Sequence, residues 1–165
     1  MGIDPGTADT GYGVVQSSGS RLHALEEGVN QTRPGVPLER RLADIHAAVV
    51  DLLERHRPDA VAIEELYFGA NVRTAFAVGQ ARGVVLLAAG QRGVPSRSYT
   101  PQQVKGAVCG NGRAGKDQVG RMVARLLGLS EIPSPDHAAD ALAVAICECN
   151  RSPLERALAR TGARG

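Results

Sequence analysis

Apolar and polar positions alternate along the early part of the chain and then settle into a three-to-four-residue rhythm. Tyr12 to Val15 and Leu22 to Val29 read as strands, split by Ser17-Ser18-Gly19-Ser20. Their spacing predicts an antiparallel meander, with residues 1–3 as the start of a further, short strand and residues 5–10 as a Pro/Gly/Thr turn. From Pro37 to Arg55 the period lengthens. Leu38, Leu42, Ile45, Val49 and Leu52 fall on one stripe, which predicts a helix. Ala60 to Ile63 is wholly apolar, the pattern of a strand buried on both faces. Thr74 to Gln91 is a second helix carrying the small residues Gly79, Ala81 and Gly83, and Phe76 on it reads as core. Val94 to Tyr99 is another strand. Thr100-Pro101 then starts a helix, with the hydroxyl as cap and proline in the first turn. After a Gly-rich break at Asn111 to Gly115 come the last helices, Lys116 to Leu127 and Pro135 to Cys149, the latter with Ser134 as its cap.

Three strands, helix, strand, helix, strand and then helices predict one α/β layered domain over residues 1–150, built on a mixed sheet. Ligand sites in such sheets form where strand ends splay. Residues 151–165 carry four arginines and few apolar positions, and read as a flexible basic tail.

Composition narrows the class. With 43% apolar and 22% charged residues the chain resembles an ordinary soluble protein, and 165 residues suffice for a sizeable core. No apolar run reaches the roughly 18 residues of a membrane helix, and no secretory leader pattern opens the chain. A cytoplasmic protein without membrane contact is expected. Cys109, Cys147 and Cys149 have no zinc-binding spacing and read as reduced thiols. The net charge of +2 hides a strong asymmetry. Residues 66–130 hold nine basic side chains against one acidic, whereas residues 1–65 hold six against eleven. The middle third is a candidate phosphate-binding surface beside acidic groups.

Those acids are placed for chemistry. Asp4 ends the first apolar run and Glu64 ends the buried one, each standing on rigid backbone just outside the core. His137 and Asp140 lie three apart near the start of the last helix and share a face. Three acids and an imidazole make a hard-ligand set for divalent cations. Glu64 and Glu65 are adjacent, so on a strand they face opposite ways and only one can join. Asp136 also shares a face with Asp140, so spacing does not choose between Asp136 and His137. An acid in the first turn favours the helix dipole, and we assign Asp136 that role, His137 remaining the ligand candidate. The chain has 17 arginines and two lysines, Lys105 and Lys116. A compact ammonium suits a single phosphate oxygen.

At this point the chain resembles the RuvC family of Holliday junction resolvases, within the ribonuclease H-like superfamily. The matching segments are Gly2-Ile3-Asp4-Pro5-Gly6 with Thr10-Gly11-Tyr12-Gly13, Ala62-Ile63-Glu64, Gly79-Gln80-Ala81-Arg82-Gly83, Gln103-Val104-Lys105 and Ala139-Asp140-Ala141-Leu142-Ala143, in family order over about residues 2–150. The resemblance implies a ribonuclease H-like fold, a homodimer, magnesium or manganese, and paired symmetric nicks across four-way junction DNA during recombination and repair. It also implies a RuvA–RuvB branch-migration complex as a partner. By position, Asp4, Glu64 and Asp140 match the metal-binding acids, and His137 stands where many relatives have Asp. Lys105 and Lys116 match lysines near the scissile phosphate. Tyr67 matches an aromatic that enters the opened junction, with Phe68 as the alternative. Arg73, Arg82 and Arg113 complete the expected DNA contacts.

The mechanism expected from these residues uses two ions per site. Asp4 bridges them, Glu64 holds one, and His137 with Asp140 holds the other, leaving 5′-phosphate and 3′-hydroxyl ends. A nitrogen ligand at His137 predicts a preference for manganese over magnesium. Two rival readings are an actin- or Hsp70-like phosphotransferase, which needs a second lobe, and a junction-binding module without catalysis.

Overall fold

The computed structural model describes residues 1–65 and 72–151, with backbone only for Val72, Arg73 and Thr74. Its strands are β1 (Gly2–Asp4), β2 (Asp9–Ser18), β3 (Arg21–Gln31), β4 (Val61–Glu64) and β5 (Ser96–Tyr99). Its helices are α1 (Leu38–His56), α2 (Val72–Gln91), α3 (Pro101–Cys109), α4 (Lys116–Leu127) and α5 (Asp136–Cys149). The strands form a single sheet in the order β3-β2-β1-β4-β5. β1, β2 and β3 are an antiparallel meander, and β4 and β5 extend it in parallel with β1. This is the mixed α/β sheet that the alternation predicts. β1 and β4 lie side by side with Ile3 opposite Ile63, so the acids that follow, Asp4 and Glu64, leave the sheet at neighbouring points.

The side-chain period of two divides the sheet into two cores. Ile3, Val61 and Ile63 point to the face covered by α1 and α2, where Ile45, Val49, Leu52 and Val85 complete a buried cluster. Ala62 and Tyr99 point to the other face, packed with α3, α4 and α5 through Val104, Val123, Leu142 and Ile146. Asp4 and Glu64 share parity with Gly2 and Ala62 and therefore emerge on the α5 side. α5 is buried continuously from Ala138 to Ala139 and from Ala141 to Cys147, and only Asp140 interrupts the run with partial exposure. Its close seat requires glycines beneath it. A Cβ at Gly2 would fall on the Ala141 carbonyl, and one at Gly11 on the His137 carbonyl. These contacts fix where the first turns of α5 sit over β1 and β2.

Several local expectations change in detail. β2 begins at Asp9, because Asp9 and Thr10 pair with Gln31 and Asn30, so the turn after Asp4 is confined to residues 5–8. β5 begins at Ser96 and not at Val94. Thr100 and Gln103 form a reciprocal capping box on α3, with Pro101 at its first turn. Ser134 does not cap α5. The cap position falls on Pro135, which has no side-chain donor or acceptor to offer, so Ser134 stands one residue too early. Phe76 is not core. It is 70% exposed on α2, whereas Ala81, Val85 and Ala88 on the same helix are fully buried. The helical stripe that faces the sheet runs through the small residues, and Phe76 lies off it with Gly83 and Leu87. No helix among the described residues is long and apolar enough to cross a membrane. The basic tail from residue 152 onward lies outside the described residues.

Candidate active site

Asp4 at the end of β1, Glu64 at the end of β4 and His137 and Asp140 on the first turns of α5 are brought together at one end of the sheet. His137 Nδ1 lies 2.7 Å from Asp4 Oδ2. Lys116, the first residue of α4, reaches across with its Nζ 3.3 Å from Asp140 Oδ2 and 3.1 Å from Asp136 Oδ2. A cavity of about 250 Å³ opens beside Glu64, Lys116 and Asp140. Glu64, Lys105, Lys116 and Asp140 form its polar side, and Pro101, Val104, Val119, Ala143 and Val144 its apolar wall.

The electrostatics are those of crowded carboxylates. Burial, then Asp4, then Asp140 push the Glu64 carboxyl up to about 7, and Lys105 and Lys116 only partly oppose the shift. Burial likewise raises Asp140 despite Lys116 beside it. Burial works against the Lys116 ammonium, but Asp136 and Asp140 together carry it above its ordinary value. Glu65 is exposed and its amide donates to the Tyr99 carbonyl, leaving Glu64 as the member of the pair that faces the cavity.

Among the described residues no three His, Cys, Asp or Glu side chains already converge as ligands on one point. Neighbouring protein side chains already engage these acids. Lys116 stands between Asp136 and Asp140, and His137 lies against Asp4. The donor set nevertheless fits divalent cations. Glu64 and Asp140 line the pocket, Asp4 acts on Glu64 from nearby and the His137 imidazole lies against Asp4, and burial together with the neighbouring carboxylates holds a proton on Glu64 near neutrality. A cation relieves the charge of these carboxylates better than a proton does.

The strand end and the loop after Asp4 are braced from the far side of the sheet. Thr10 Oγ1 donates to the Gly6 carbonyl at 2.7 Å and Thr32 Oγ1 to the Thr7 carbonyl at 2.6 Å. Arg41, from α1, donates to both Thr32 Oγ1 and the Thr7 carbonyl. Arg82, expected as a DNA contact, directs its guanidinium at the Glu64 carbonyl and Ser98 Oγ. The sequence does not announce these braces, since Arg41 and Arg82 are two among 17 arginines. Arg113 is exposed in the loop before α4. Arg73 is placed on the first turn of α2 by its backbone. Tyr67 and Phe68 lie outside the described residues.

An antiparallel meander extended by parallel strands, with acids at the ends of β1 and β4 and a third on the last helix, defines a nuclease of the ribonuclease H-like class. The chain belongs to the crossover junction endodeoxyribonuclease RuvC family, whose model matches residues 1–148. It is similar to the crossover junction endodeoxyribonuclease RuvC of Pelotomaculum thermopropionicum, at 54% identity over 96% of each chain. The RuvC of Moorella thermoacetica is 53% identical over 93% of this chain and 92% of its own. Among solved structures, Thermus thermophilus RuvC in complex with a Holliday junction substrate superposes with a TM-score of 0.86 at 45% identity, covering 90% of both chains. The yeast mitochondrial Holliday junction resolvase, at 16% identity and a TM-score of 0.60 over 88% of this chain, shares the fold.

Proposed function

We propose that this chain resolves four-way DNA junctions by metal-dependent nicking, with Asp4, Glu64, His137 and Asp140 as the ion-holding set. The observation that carries this is that Glu64 from β4 and Asp140 from α5 line one pocket, with Asp4 from β1 near enough to act on Glu64, where burial first and these two carboxylates next raise Glu64 to about 7. When bound, two divalent ions supply an activated attacking water and a stabilised leaving 3′ oxygen. The protein's own residues do the rest. Asp4, 2.7 Å from His137 and close enough to raise Glu64, would hold the ions together with these neighbours. Lys105 and Lys116 line the same pocket and can neutralise charge that builds on the phosphate. His137 lies 2.7 Å from Asp4, another member of the set, whereas Asp136 pairs with Lys116, which supports His137 over Asp136 as the fourth ligand. The imidazole favours manganese over magnesium, since manganese accepts nitrogen donors and looser geometry more readily. Opposed nicks on two strands require two such sites, which a two-fold homodimer supplies.

A nicking assay on a synthetic four-way junction tests the reading. Asp4→Asn, Glu64→Gln and Asp140→Asn should each abolish nicking in magnesium or manganese while junction binding survives, and normal turnover in any one of them removes that residue from the site. Lys116→Ala and Lys105→Ala should lower the single-turnover rate by roughly 10- to 1,000-fold with little change in affinity. Wild type should turn over faster in manganese than in equal magnesium, and His137→Asp should shift the balance back.

A further inference from the structure

Arg82 lies on α2, on the face of the sheet opposite the cavity, yet its guanidinium reaches the catalytic end of β4. Nη1 donates to the Glu64 carbonyl oxygen at 3.0 Å, and Nη2 donates to Ser98 Oγ on β5 at 2.6 Å. In the sheet, Ile63 lies opposite Ser98 and Glu64 opposite Tyr99, so the two acceptors sit on adjacent strands one register step apart. The next amide, that of Glu65, closes the last rung by donating to the Tyr99 carbonyl at 2.7 Å. Glu65 itself stands outside the strand. Glu64 is thus the last residue of a four-residue strand, where sheet pairing alone holds the backbone least.

We propose that Arg82 is a positioning residue for Glu64, a clamp that ties α2 to the ends of β4 and β5 and so fixes where the Glu64 carboxylate points. This rests on Glu64 being an ion-holding residue. Three features support a clamp over a DNA contact. The fork delivers two N–H groups in a fixed plane, which suits two acceptors on neighbouring strands and which a lysine ammonium cannot reproduce with the same rigidity. Both bonds go to neutral acceptors of the protein, not to an acid, so the guanidinium is held by geometry and not by charge pairing. And Arg82 is not among the residues lining the cavity, so it influences the site through backbone placement. Small displacements of a ligand-bearing strand end are costly to a reaction, on the order of 100-fold for about 1 Å.

The test compares Arg82→Ala, Arg82→Lys and Ser98→Ala with Glu64→Gln as the control. Three quantities are read: manganese affinity of the free protein by electron paramagnetic resonance, junction affinity in calcium, and single-turnover nicking of bound junction. A clamp predicts that Arg82→Ala weakens manganese binding several-fold and slows nicking by roughly 10- to 100-fold, with junction affinity within about twofold of wild type. Arg82→Lys should recover part of both losses, and Ser98→Ala, which leaves the charge intact, should show a smaller loss in the same direction. If Arg82→Ala weakens junction binding while manganese affinity and single-turnover nicking stay at wild-type values, Arg82 is a DNA contact and the clamp is wrong. Should Arg82→Ala fail to fold, wild-type manganese affinity and nicking in both Ser98→Ala and Arg82→Lys overturn it equally. Undiminished nicking in Glu64→Gln, by contrast, sinks the reading of the site itself.

Discussion

Burial and two neighbouring carboxylates hold a proton on Glu64 up to about pH 7, whereas an ordinary glutamate has released it by about 4.5. Between those values the folded protein binds a proton that the unfolded chain does not. Stability therefore falls as pH rises through this window and stays lower above it. Glu64→Gln removes the ionisation. The variant should be more stable than wild type at pH 8 by about 1–2 kcal/mol, after discounting the shift for solvent screening, and the advantage should fade toward pH 4.5. Urea unfolding at pH 4.5, 6 and 8 checks this, and an advantage that does not change with pH refutes it. The same acids were conspicuous in the sequence, because a carboxylate directly after an apolar run is rare, as are lysines in an arginine-rich chain. The partners of Arg41 and Arg82 were not legible. Each depends on a carbonyl brought close by the fold, and no periodicity encodes that. Phe76 misleads for a related reason: its apolarity says nothing about which helical face meets the sheet.

At the scale of elements, period and punctuation located every strand and helix described, while long-range pairing set their ends. Asp9 and Thr10 look like turn residues by composition, but β3 extends far enough to pair with them. The register of α5 over the sheet matters most for function, since it places His137 and Asp140 at once. Gly11 permits that register. A methyl there would collide with the His137 carbonyl, and relief requires the first turn of α5 to lift from β2. Gly11→Ala should therefore lose most nicking activity and destabilise the fold by about 1–3 kcal/mol. Gly19, which has open space around it, gives the contrast: its positive φ makes Gly19→Ala mildly destabilising, but nicking should persist. Equal nicking by the two variants would show that the α5 seat does not control the site.

For the whole molecule, the charge asymmetry of the sequence is partly absorbed by the fold. Arg92 pairs with Glu54, Arg97 with Glu148, and Arg82 is held at the ends of β4 and β5. Lys105 and Lys116 line the pocket, and Arg113 is exposed on the α3–α4 loop. A single pocket of this kind can nick one strand. Resolution of a four-way junction needs two strands cut in opposed orientation, and the proposed two-fold dimer divides that work between two copies. Mixing separates the subunits' contributions. Wild-type protein re-equilibrated with excess Glu64→Gln should form mixed dimers that bind a plasmid-borne cruciform normally but nick one strand. The product should shift from linear plasmid toward nicked circle as the inactive subunit is added. In a dimer, linear product should fall with the square of the wild-type fraction, while nicked circle passes through a maximum. A linear product that falls only in simple proportion to the wild-type fraction, with no build-up of nicked circle, would mean that one subunit makes both cuts, and the division of labour between two pockets would be wrong.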